Sequence, residues 1–479
     1  MSLESKKYFH KELQSGGTTN RLNEQMGYAY DAAGNLNYRT NNALVQAFNV
    51  NSLNQLSTIH RSGTLTVAGS TTPTATNVTV NTSNAMLYAD ATFAKDHFAV
   101  VNGNNTFTAI AKDSYGRKDT NSITVNLLAT NSFAYDLNGN MLTNGNEVMV
   151  WNDENQLVTN YVAGAWKSEF VYDGKFRRRI QRDYSWNGSS WTQTNEIHLV
   201  YDGNVILQQR YANNLPTLTF TRGNDLSGSL QGAGGIGGLL ALTESSGAQS
   251  YYHADGNGNV TCLINTNQLI VAKAEYDPYG NFLSLSGPKA GVNPFWFSSK
   301  PIHWSSGKYD FLYRWYAPNL QRWLNRDPIE EDGGNNLFRF VANGPVTWID
   351  AYGTDVIQGG KTTCDGNDGF QIEITGGKGK PDEECIRRHE QKHIDDLNAE
   401  YPNACKGKAK GSPPSVPTSE KDAFKKKTEC NAYKVSLECD QELLDKCPKK
   451  PKTKEDKERK KYLEDQKKVA EREIKKSCK

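Results

Sequence analysis

The sequence contains no stretch of 18 apolar residues, although 37% of its residues are hydrophobic, so a membrane-spanning helix is not expected. The opening residues MSLESKKYFH lack the apolar core of a standard signal peptide. Export would therefore need another route or a segment that precedes this chain. The sequence also contains no Cys-x-x-Cys pair, which argues against a thiolate metal cluster.

Cysteine is nearly absent from the first three quarters of the chain, where Cys262 stands alone. Residues 355–479 hold the other seven cysteines, together with 29 of the 55 Lys and Arg residues and 25 of the 53 Asp and Glu residues. This change in composition predicts a separate C-terminal domain. Its cysteine density favours an oxidising compartment, a secreted or cell-surface location, and three disulfides with one odd thiol. The seven cysteines are Cys364, Cys385, Cys405, Cys430, Cys439, Cys447 and Cys478.

The first three quarters alternate Tyr, Val, Thr, Phe and Leu with polar residues, and Asn-Gly, Asp-Gly and Gly-Asn pairs interrupt the runs. This pattern predicts antiparallel strands joined by tight turns. A strand-turn-strand unit recurs, in which an aromatic residue packs on one face, Asp caps the turn and Gly-Asn forms the bend. The units are YAYDAAGNLNYRT from Tyr28, FAYDLNGNMLTNG from Phe133, FVYDGKFRRRI from Phe170, LVYDGNVILQQR from Leu199 and AEYDPYGNFLSLSG from Ala274.

These units resemble the YD repeats of the Rhs and teneurin family, and residues 309–353 resemble the Rhs-associated core. The resemblance covers residues 20–60 and 130–354 and implies a hollow shell of spiralling β-sheet. The predicted fold is therefore mostly β, a YD-repeat shell with an inserted β-sandwich, followed by a small helical (α+β) zincin-like domain. The predicted domains are residues 1–60 and 129–308 for the repeats, 61–128 for the sandwich, 309–354 for the core and 355–479 for the C-terminal domain.

In Rhs proteins the core is an aspartyl autoprotease that releases the C-terminal domain inside the shell. The resemblance implies that Asp327 and Asp350 form the carboxyl pair, with Arg326 as their electrostatic partner. One carboxyl group would stay protonated while the other activates water. The family's second motif is Asp-Pro-x-Gly, but Ala351 replaces the proline here, and IEED displaces the glycine of the first motif. Cleavage is expected after Thr354, and a shell plug that has lost cleavage is the alternative.

The C-terminal segment RRHEQKHIDD contains an H-E-x-x-H motif within a predicted helix, which has Pro381 at its first position and stops at Pro402. Such a spacing on a helix lets His389 and His393 bind one Zn²⁺, while Glu390 accepts a proton from the metal-bound water. The sequence therefore predicts a zinc metallopeptidase. A solvated helix with inactive histidines is the alternative.

A third metal ligand is expected on a second helix, which Ser419 would cap. Glu429 is the preferred candidate, because an acid followed three residues later by a small residue resembles the pattern of Glu-zincins. Asp396 and Glu400 are closer in sequence but poorly placed. Tyr433 is a candidate oxyanion donor, with packing as the alternative.

The lysine-rich tail from residue 449 is balanced by acids at helical spacing, which favours a solvated helix over a nucleic-acid-binding arm. The chain is thus predicted to be a polymorphic Rhs-type toxin whose shell encloses and releases a zinc metallopeptidase. Its expected partners are a protein substrate in a target cell and an immunity protein, without nucleic acid. The alternatives are a noncatalytic surface or adhesion protein and a hydrolase of a nonpeptide bond at the same metal.

Overall fold

The computed structural model divides the chain into two compact units, Met1–Ile357 and Gln358–Lys479. The predicted positions Pro381, Ser419, Cys447 and Cys478 lie outside the described residues. The structure describes residues 4–14, 17–71, 75–227, 229–346, 348–354, 360–364, 367, 370–374, 383–406, 414, 416, 421–446, 456, 459–460, 463–464, 466–468, 470–471 and 474.

The first unit contains a nearly closed antiparallel sheet of 19 strands, in which each strand pairs with its neighbour along the chain. Among these pairings, one joins strands that are not consecutive in the chain: β5, Leu56–Ser62, pairs with β13, Thr130–Tyr135. The first strands of the sheet are β1 Glu4–Gln14, β2 Gly17–Tyr30, β3 Leu36–Asn41, β4 Leu44–Val50 and β5 Leu56–Ser62.

The inserted segment forms two small sheets of its own, with three and four strands. Val78, Val80, Phe93 and Phe107 form a separate apolar core for it. Its strands are β6 Thr64–Ser70, β7 Ala75–Val80, β8 Ser83–Asn84, β9 Met86–Leu87, β10 Thr92–Ala99, β11 Gly103–Asp113 and β12 Lys118–Leu127.

After the insertion the large sheet continues as a series of antiparallel hairpins. Its remaining strands are β13 Thr130–Tyr135, β14 Met141–Asn144, β15 Glu147–Trp151, β16 Leu157–Val162, β17 Trp166–Tyr172, β18 Arg178–Trp186, β19 Trp191–Asp202, β20 Val205–Tyr211, β21 Pro216–Arg222, β22 Leu239–Glu244, β23 Gln249–Ala254, β24 Val260–Asn265, β25 Ile270–Tyr276 and β26 Phe282–Ser286.

Four of the five repeated Tyr-Asp units form turns closed by the aspartate side chain. Asp31 Oδ1 accepts hydrogen bonds from the backbone N–H groups of Ala33 and Asn35, at 2.9 and 2.8 Å. Gly34 occupies the left-handed region with φ of 76°, which glycine adopts without steric cost. The same Asp-to-Asn bonding recurs at Asp136 with Asn140, Asp255 with Asn259 and Asp277 with Asn281. The sequence therefore correctly indicated how these turns are stabilised.

The tyrosine that precedes the aspartate connects successive hairpins. Tyr172 donates its hydroxyl to the Leu157 carbonyl at 2.9 Å, and Tyr276 donates to the Val260 carbonyl at 2.6 Å. A buried phenol normally satisfies its hydroxyl in this way while its ring contributes apolar contact area. These two repeats are thus bonded to the hairpin before them, and Tyr201 does the same through the Arg178 carbonyl at 3.0 Å.

The segment after β26 is rich in buried aromatic side chains. Tyr316 stacks on Phe340 with ring centroids 3.9 Å apart, and Trp323 packs edge-on against both. These rings belong to the main core of the first unit. The segment contains β27 Ile302–His303, β28 Lys308–Asp310, β29 Trp315–Ala317 and β30 Arg322–Trp323, with 3-10 turns at Phe297–Ser299, Glu330–Gly333 and Val341–Asn343.

Among its described residues, the second unit contains a hairpin, two helices and further helical residues between positions 456 and 474. The hairpin is β31 Gly360–Cys364 and β32 Phe370–Ile374, and the helices are α1 Glu383–Glu400 and α2 Lys421–Asp445. Leu397, Ala404 and Phe424 form a small apolar cluster. The predicted mostly β fold with a β-shell and few helices is confirmed. Among the described residues, the structure contains no helix that is both long and apolar enough to cross a membrane.

Candidate functional site

His389 and His393 face each other on α1, one helical turn apart, as residues at positions i and i+4 do. Their Nε2 atoms lie 3.1 Å apart. Both side chains are largely buried, with 14% and 13% of their surface exposed. The helix therefore directs two nitrogen atoms at one point, as the motif predicts.

Glu429, on α2, brings a carboxylate to the same point. Its Oε2 lies 3.8 Å from His389 Nε2 and 3.9 Å from His393 Nε2. The two alternative ligands contact other residues, because Asp396 accepts hydrogen bonds from Lys392 and Asn431, and Glu400 pairs with Lys427. The structure thus brings the preferred third residue to the histidine pair.

Glu390 is buried beside the histidines, and its carboxylate lies within 4.8 Å of a ring nitrogen of each. The Tyr433 ring packs edge-on against His389, with centroids 4.8 Å apart. This contact places Tyr433 next to the cluster in a packing role. The predicted residues of the C-terminal site therefore converge from two helices.

Burial lowers the pKa of His389 to about 3, with an added contribution from the neighbouring His393. Burial likewise lowers the pKa of His393 to about 4. Both imidazoles are consequently neutral at pH 7, which is the form that binds metals.

The cluster fits a divalent cation. Two nitrogen ligands of a tetrahedral zinc ion, each about 2.0–2.1 Å from the metal, are separated by about 3.3 Å, close to the observed 3.1 Å. Two imidazoles and one carboxylate form a ligand set that suits Zn²⁺ and leaves a fourth position for water or substrate.

A disulfide lies one turn before His389. Cys385, near the start of α1, is bonded to Cys439, near the end of α2. The bond therefore joins the two helices that supply the cluster. Cys405 and Cys430 are also disulfide-bonded.

In the first unit, Asp327 and Asp350 are buried and contact the same guanidinium group. Arg314 Nη2 lies 2.8 Å from Asp327 Oδ2 and 3.4 Å from Asp350 Oδ2. Burial raises the pKa of Asp350, although the charge of Arg314 opposes the shift. The structure thus brings the two predicted aspartates to one cation.

The predicted electrostatic partner Arg326 is exposed, and the cation between the carboxylates is Arg314. The assignment to Arg326 rested on its position next to Asp327 in the sequence. Residues adjacent on an extended chain point in opposite directions, so adjacency is a poor guide to contact here. Arg314 lies within the aromatic run FLYRWYA, where a buried arginine needs a partner, and this signal could have identified it.

The chain beyond Asp350 is held by polar contacts. Asp350 Oδ1 accepts backbone hydrogen bonds from Tyr352, Gly353 and Thr354, the last at 3.2 Å. Arg314 also donates to the Gly353 carbonyl. The expected cleavage point after Thr354 therefore borders this network, whereas residue 355 lies outside the described residues.

No family model matches the chain. It is 26% identical over 231 residues to the tRNA3(Ser)-specific nuclease WapA of Bacillus spizizenii, a match that covers 46% of this chain and 9% of that protein. It is 22% identical over 241 residues to the double-stranded DNA deaminase toxin A of Burkholderia cenocepacia, which covers 46% of this chain and 17% of that protein. The chain thus spans a small part of these relatives.

Among solved structures, the chain is similar to TcdB2-TccC3-TEV, with a TM-score of 0.39 and 17% identity. That match covers 73% of this chain and 18% of the other.

The names of these relatives correct two predictions. They describe a nuclease and a DNA deaminase, and none describes a metallopeptidase. The prediction of a zinc metallopeptidase is therefore wrong, as is the expectation of a protein substrate without a nucleic-acid partner. The motif led to this error because it specifies how a metal and a water are held and says little about the bond that is attacked. The resemblance to toxin proteins is confirmed.

Proposed function

We propose that this chain is a secreted toxin whose β-shell unit carries a C-terminal metal-dependent hydrolase that acts on nucleic acid. The observation that carries the proposal is the convergence of His389 Nε2, His393 Nε2 and Glu429 Oε2. The similarity to a tRNA nuclease and a DNA deaminase toxin supports the substrate class.

Hydrolysis of a phosphodiester bond fits the ligand set better than deamination of a base. Zinc deaminases of nucleic acids use a histidine with two cysteines, or three cysteines, the cysteines in a Cys-x-x-Cys motif. This sequence has no such motif, and the residues at the cluster are two histidines and two glutamates. The cluster therefore favours attack by water on phosphorus.

A bound Zn²⁺ would supply Lewis-acid polarisation of a phosphoryl oxygen and of the attacking water. The protein's own residues would do the rest. His389, His393 and Glu429 would hold the ion, and Glu390 would accept the proton of the water, since its carboxylate is buried next to both histidines.

The test is cleavage of tRNA, single-stranded RNA and double-stranded DNA by the purified full chain, with and without added Zn²⁺. Glu390→Gln should reduce cleavage at least 100-fold and leave zinc content unchanged, because removal of a general base typically costs 10²–10⁴ in rate. Asp395→Asn is the matched control, an exposed carboxylate on the same helix. Equal cleavage by Glu390→Gln and wild type, or no cleavage of any nucleic acid by the zinc-loaded chain, would contradict the proposal.

A second proposal is self-cleavage after Thr354, supported by the buried carboxylates Asp327 and Asp350 at Arg314. The raised pKa of Asp350 suits the protonated member of a carboxyl pair, since one group must donate while the other accepts a proton. Fragments of about 354 and 125 residues on a denaturing gel would be the direct readout.

A further inference from the structure

Two hydroxyl groups on α2 lie behind the histidine pair, on the side away from Glu429. Thr428 Oγ1 is 2.8 Å from His393 Nδ1, and Ser436 Oγ is 3.0 Å from His389 Nδ1. Thr428 is buried, and Ser436 is partly buried. Each imidazole thus has its second nitrogen bonded to a hydroxyl group.

The direction of the first hydrogen bond follows from the partners of Thr428. Its hydroxyl lies close enough to the carboxylate of Asp396 to help lower the pKa of that group against the opposing effect of burial. The same carboxylate accepts from Lys392 Nζ at 2.7 Å and from Asn431 Nδ2 at 3.0 Å. A carboxylate only accepts, so the Thr428 proton points to Asp396. The Thr428 oxygen must then accept a hydrogen bond from His393 Nδ1–H.

The second bond has the same direction for an independent reason. Ser436 donates its hydroxyl to the backbone carbonyl of Ala432, at 3.3 Å. A carbonyl oxygen only accepts, so the Ser436 oxygen is left to accept from His389 Nδ1–H. The two hydroxyls therefore fix the same tautomer in both rings.

A neutral imidazole has one N–H group, and here it lies on Nδ1 in both rings. The two Nε2 atoms consequently direct lone pairs at each other across 3.1 Å, with the Glu429 carboxylate close by. Two nitrogen lone pairs that face each other in a largely buried site repel one another unless a cation lies between them.

We propose that Thr428 and Ser436 are positioning residues that hold His389 and His393 in the metal-binding tautomer. The inference rests on the metal site of the proposed function. It goes beyond that function because it proposes that two residues that do not contact the ion strengthen its binding. Loss of such an outer partner typically weakens metal binding 10–100-fold.

The test is titration of the metal-free full chain with Zn²⁺, and with Co²⁺ followed by its visible absorption. Thr428→Val keeps the shape and removes the hydroxyl, and Thr428→Ser restores the hydroxyl. We expect Thr428→Val and Ser436→Ala each to bind Zn²⁺ 10–100-fold more weakly, and Thr428→Ser to bind within about threefold of wild type. Lys434→Ala, an exposed position on the same helix, is the control.

The melting temperature of each metal-free variant separates positioning from simple structural damage. A positioning role predicts weaker zinc binding and a smaller zinc-induced rise in melting temperature in a variant whose metal-free form melts like wild type. If Thr428→Val and Ser436→Ala both bind zinc as tightly as wild type, the inference fails while the metal site stands. If Thr428→Ser binds as weakly as Thr428→Val, the hydroxyl is not the cause and the inference also fails. If wild type binds no metal, the proposed function and this inference fail together.

Discussion

At the scale of single residues, Arg314 is the charge on which the aspartate pair depends. Its guanidinium group lies between two buried carboxyl groups, so removing it leaves both without their cation in a buried site. We expect Arg314→Met to destabilise the first unit by about 3–5 kcal/mol, measured by urea unfolding and tryptophan fluorescence, because all nine tryptophans lie before residue 355.

The exposed Arg326 is the matched control, since Arg326→Met removes the same charge from a solvated position and should change stability by less than about 0.5 kcal/mol.

The pKa of Asp350 is higher in the folded state than in the unfolded state. The contribution of Asp350 to the free energy of unfolding is therefore complete below its unfolded-state pKa and is lost as the pH rises through its folded-state pKa. The loss of unfolding free energy caused by Arg314→Met, relative to wild type, should therefore become smaller as the pH falls. A deficit that grows at low pH would contradict this account.

The histidine pair makes the second unit sensitive to acid. The folded-state pKa values of about 3 and about 4 lie below the usual 6.5, so the unfolded chain takes up protons first as pH falls. In the metal-free protein, protonation of each histidine in the unfolded chain should lower the free energy of unfolding by about 2 kcal/mol as the pH falls from 7 to 5.

Hydrogen exchange of α1 and α2 at the two pH values measures this loss, after correction for the intrinsic pH dependence of exchange. His389→Gln/His393→Gln, which cannot take up these protons, is the control and should lose much less protection. Equal losses in the double variant and wild type would assign the acid sensitivity to other groups.

At the scale of elements, the Cys385–Cys439 disulfide joins the two helices across 54 residues of sequence. A bond that closes a loop of this length lowers the entropy of the unfolded chain, which raises the free energy of unfolding by about 4 kcal/mol. We expect reduction to lower the protection of α1 and α2 and to weaken zinc binding, because the ligands come from both helices.

The first unit is the internal reference for that experiment, since its only cysteine, Cys262, is a free thiol. Hydrogen exchange with and without reductant should leave the β-sheet unchanged. Equal loosening of both units, or none in the second, would show that disulfides, those of Cys405 and Cys430 included, do not hold the helices together.

Turns and strands could be predicted from the sequence wherever one local pattern of residues determines the structure. The Asp-to-Asn turn appears in the repeated letters, because both partners lie within five residues. Strand β1 was covered only by the general prediction of antiparallel strands for residues 1–60, since ESKKYFHKELQ carries too many charges to indicate a strand by itself. Its backbone pairing with β2 and the pairing of β2 with β3 supply what local propensity does not.

The two candidate sites were predictable to different degrees for the same reason. His389 and His393 are one turn apart on one helix, so their spacing alone predicts that they meet. Glu429 required a second helix and was preferred on a resemblance. Arg314 is distant from both of its aspartates in the sequence, and only the packing of the aromatic segment brings it to them.

At the scale of the whole molecule, self-cleavage would divide the chain close to the boundary between its two compact units. We expect purified wild type to give two bands, and Asp327→Asn or Asp350→Asn to give one, because a carboxyl pair is needed to activate water. Asp153→Asn, at an exposed position in a turn of the large sheet, is the control and should be cut like wild type. An intact wild-type chain after prolonged incubation would exclude self-cleavage.

The insertion between β5 and β13 leaves the large sheet and returns to it at one place. His60 pairs with Thr130, and the Arg61 N–H donates to the Ala129 carbonyl at 2.9 Å. In topological terms the whole insertion is the loop of a β-hairpin, and its length adds little to the entropy of closing that hairpin, which grows only with the logarithm of loop length. The position is therefore a natural acceptor site, where one module with its own apolar core can be exchanged for another without altering the register of β5 and β13, at the loss of contacts with β2 such as Arg21–Asp90 at 3.0 Å.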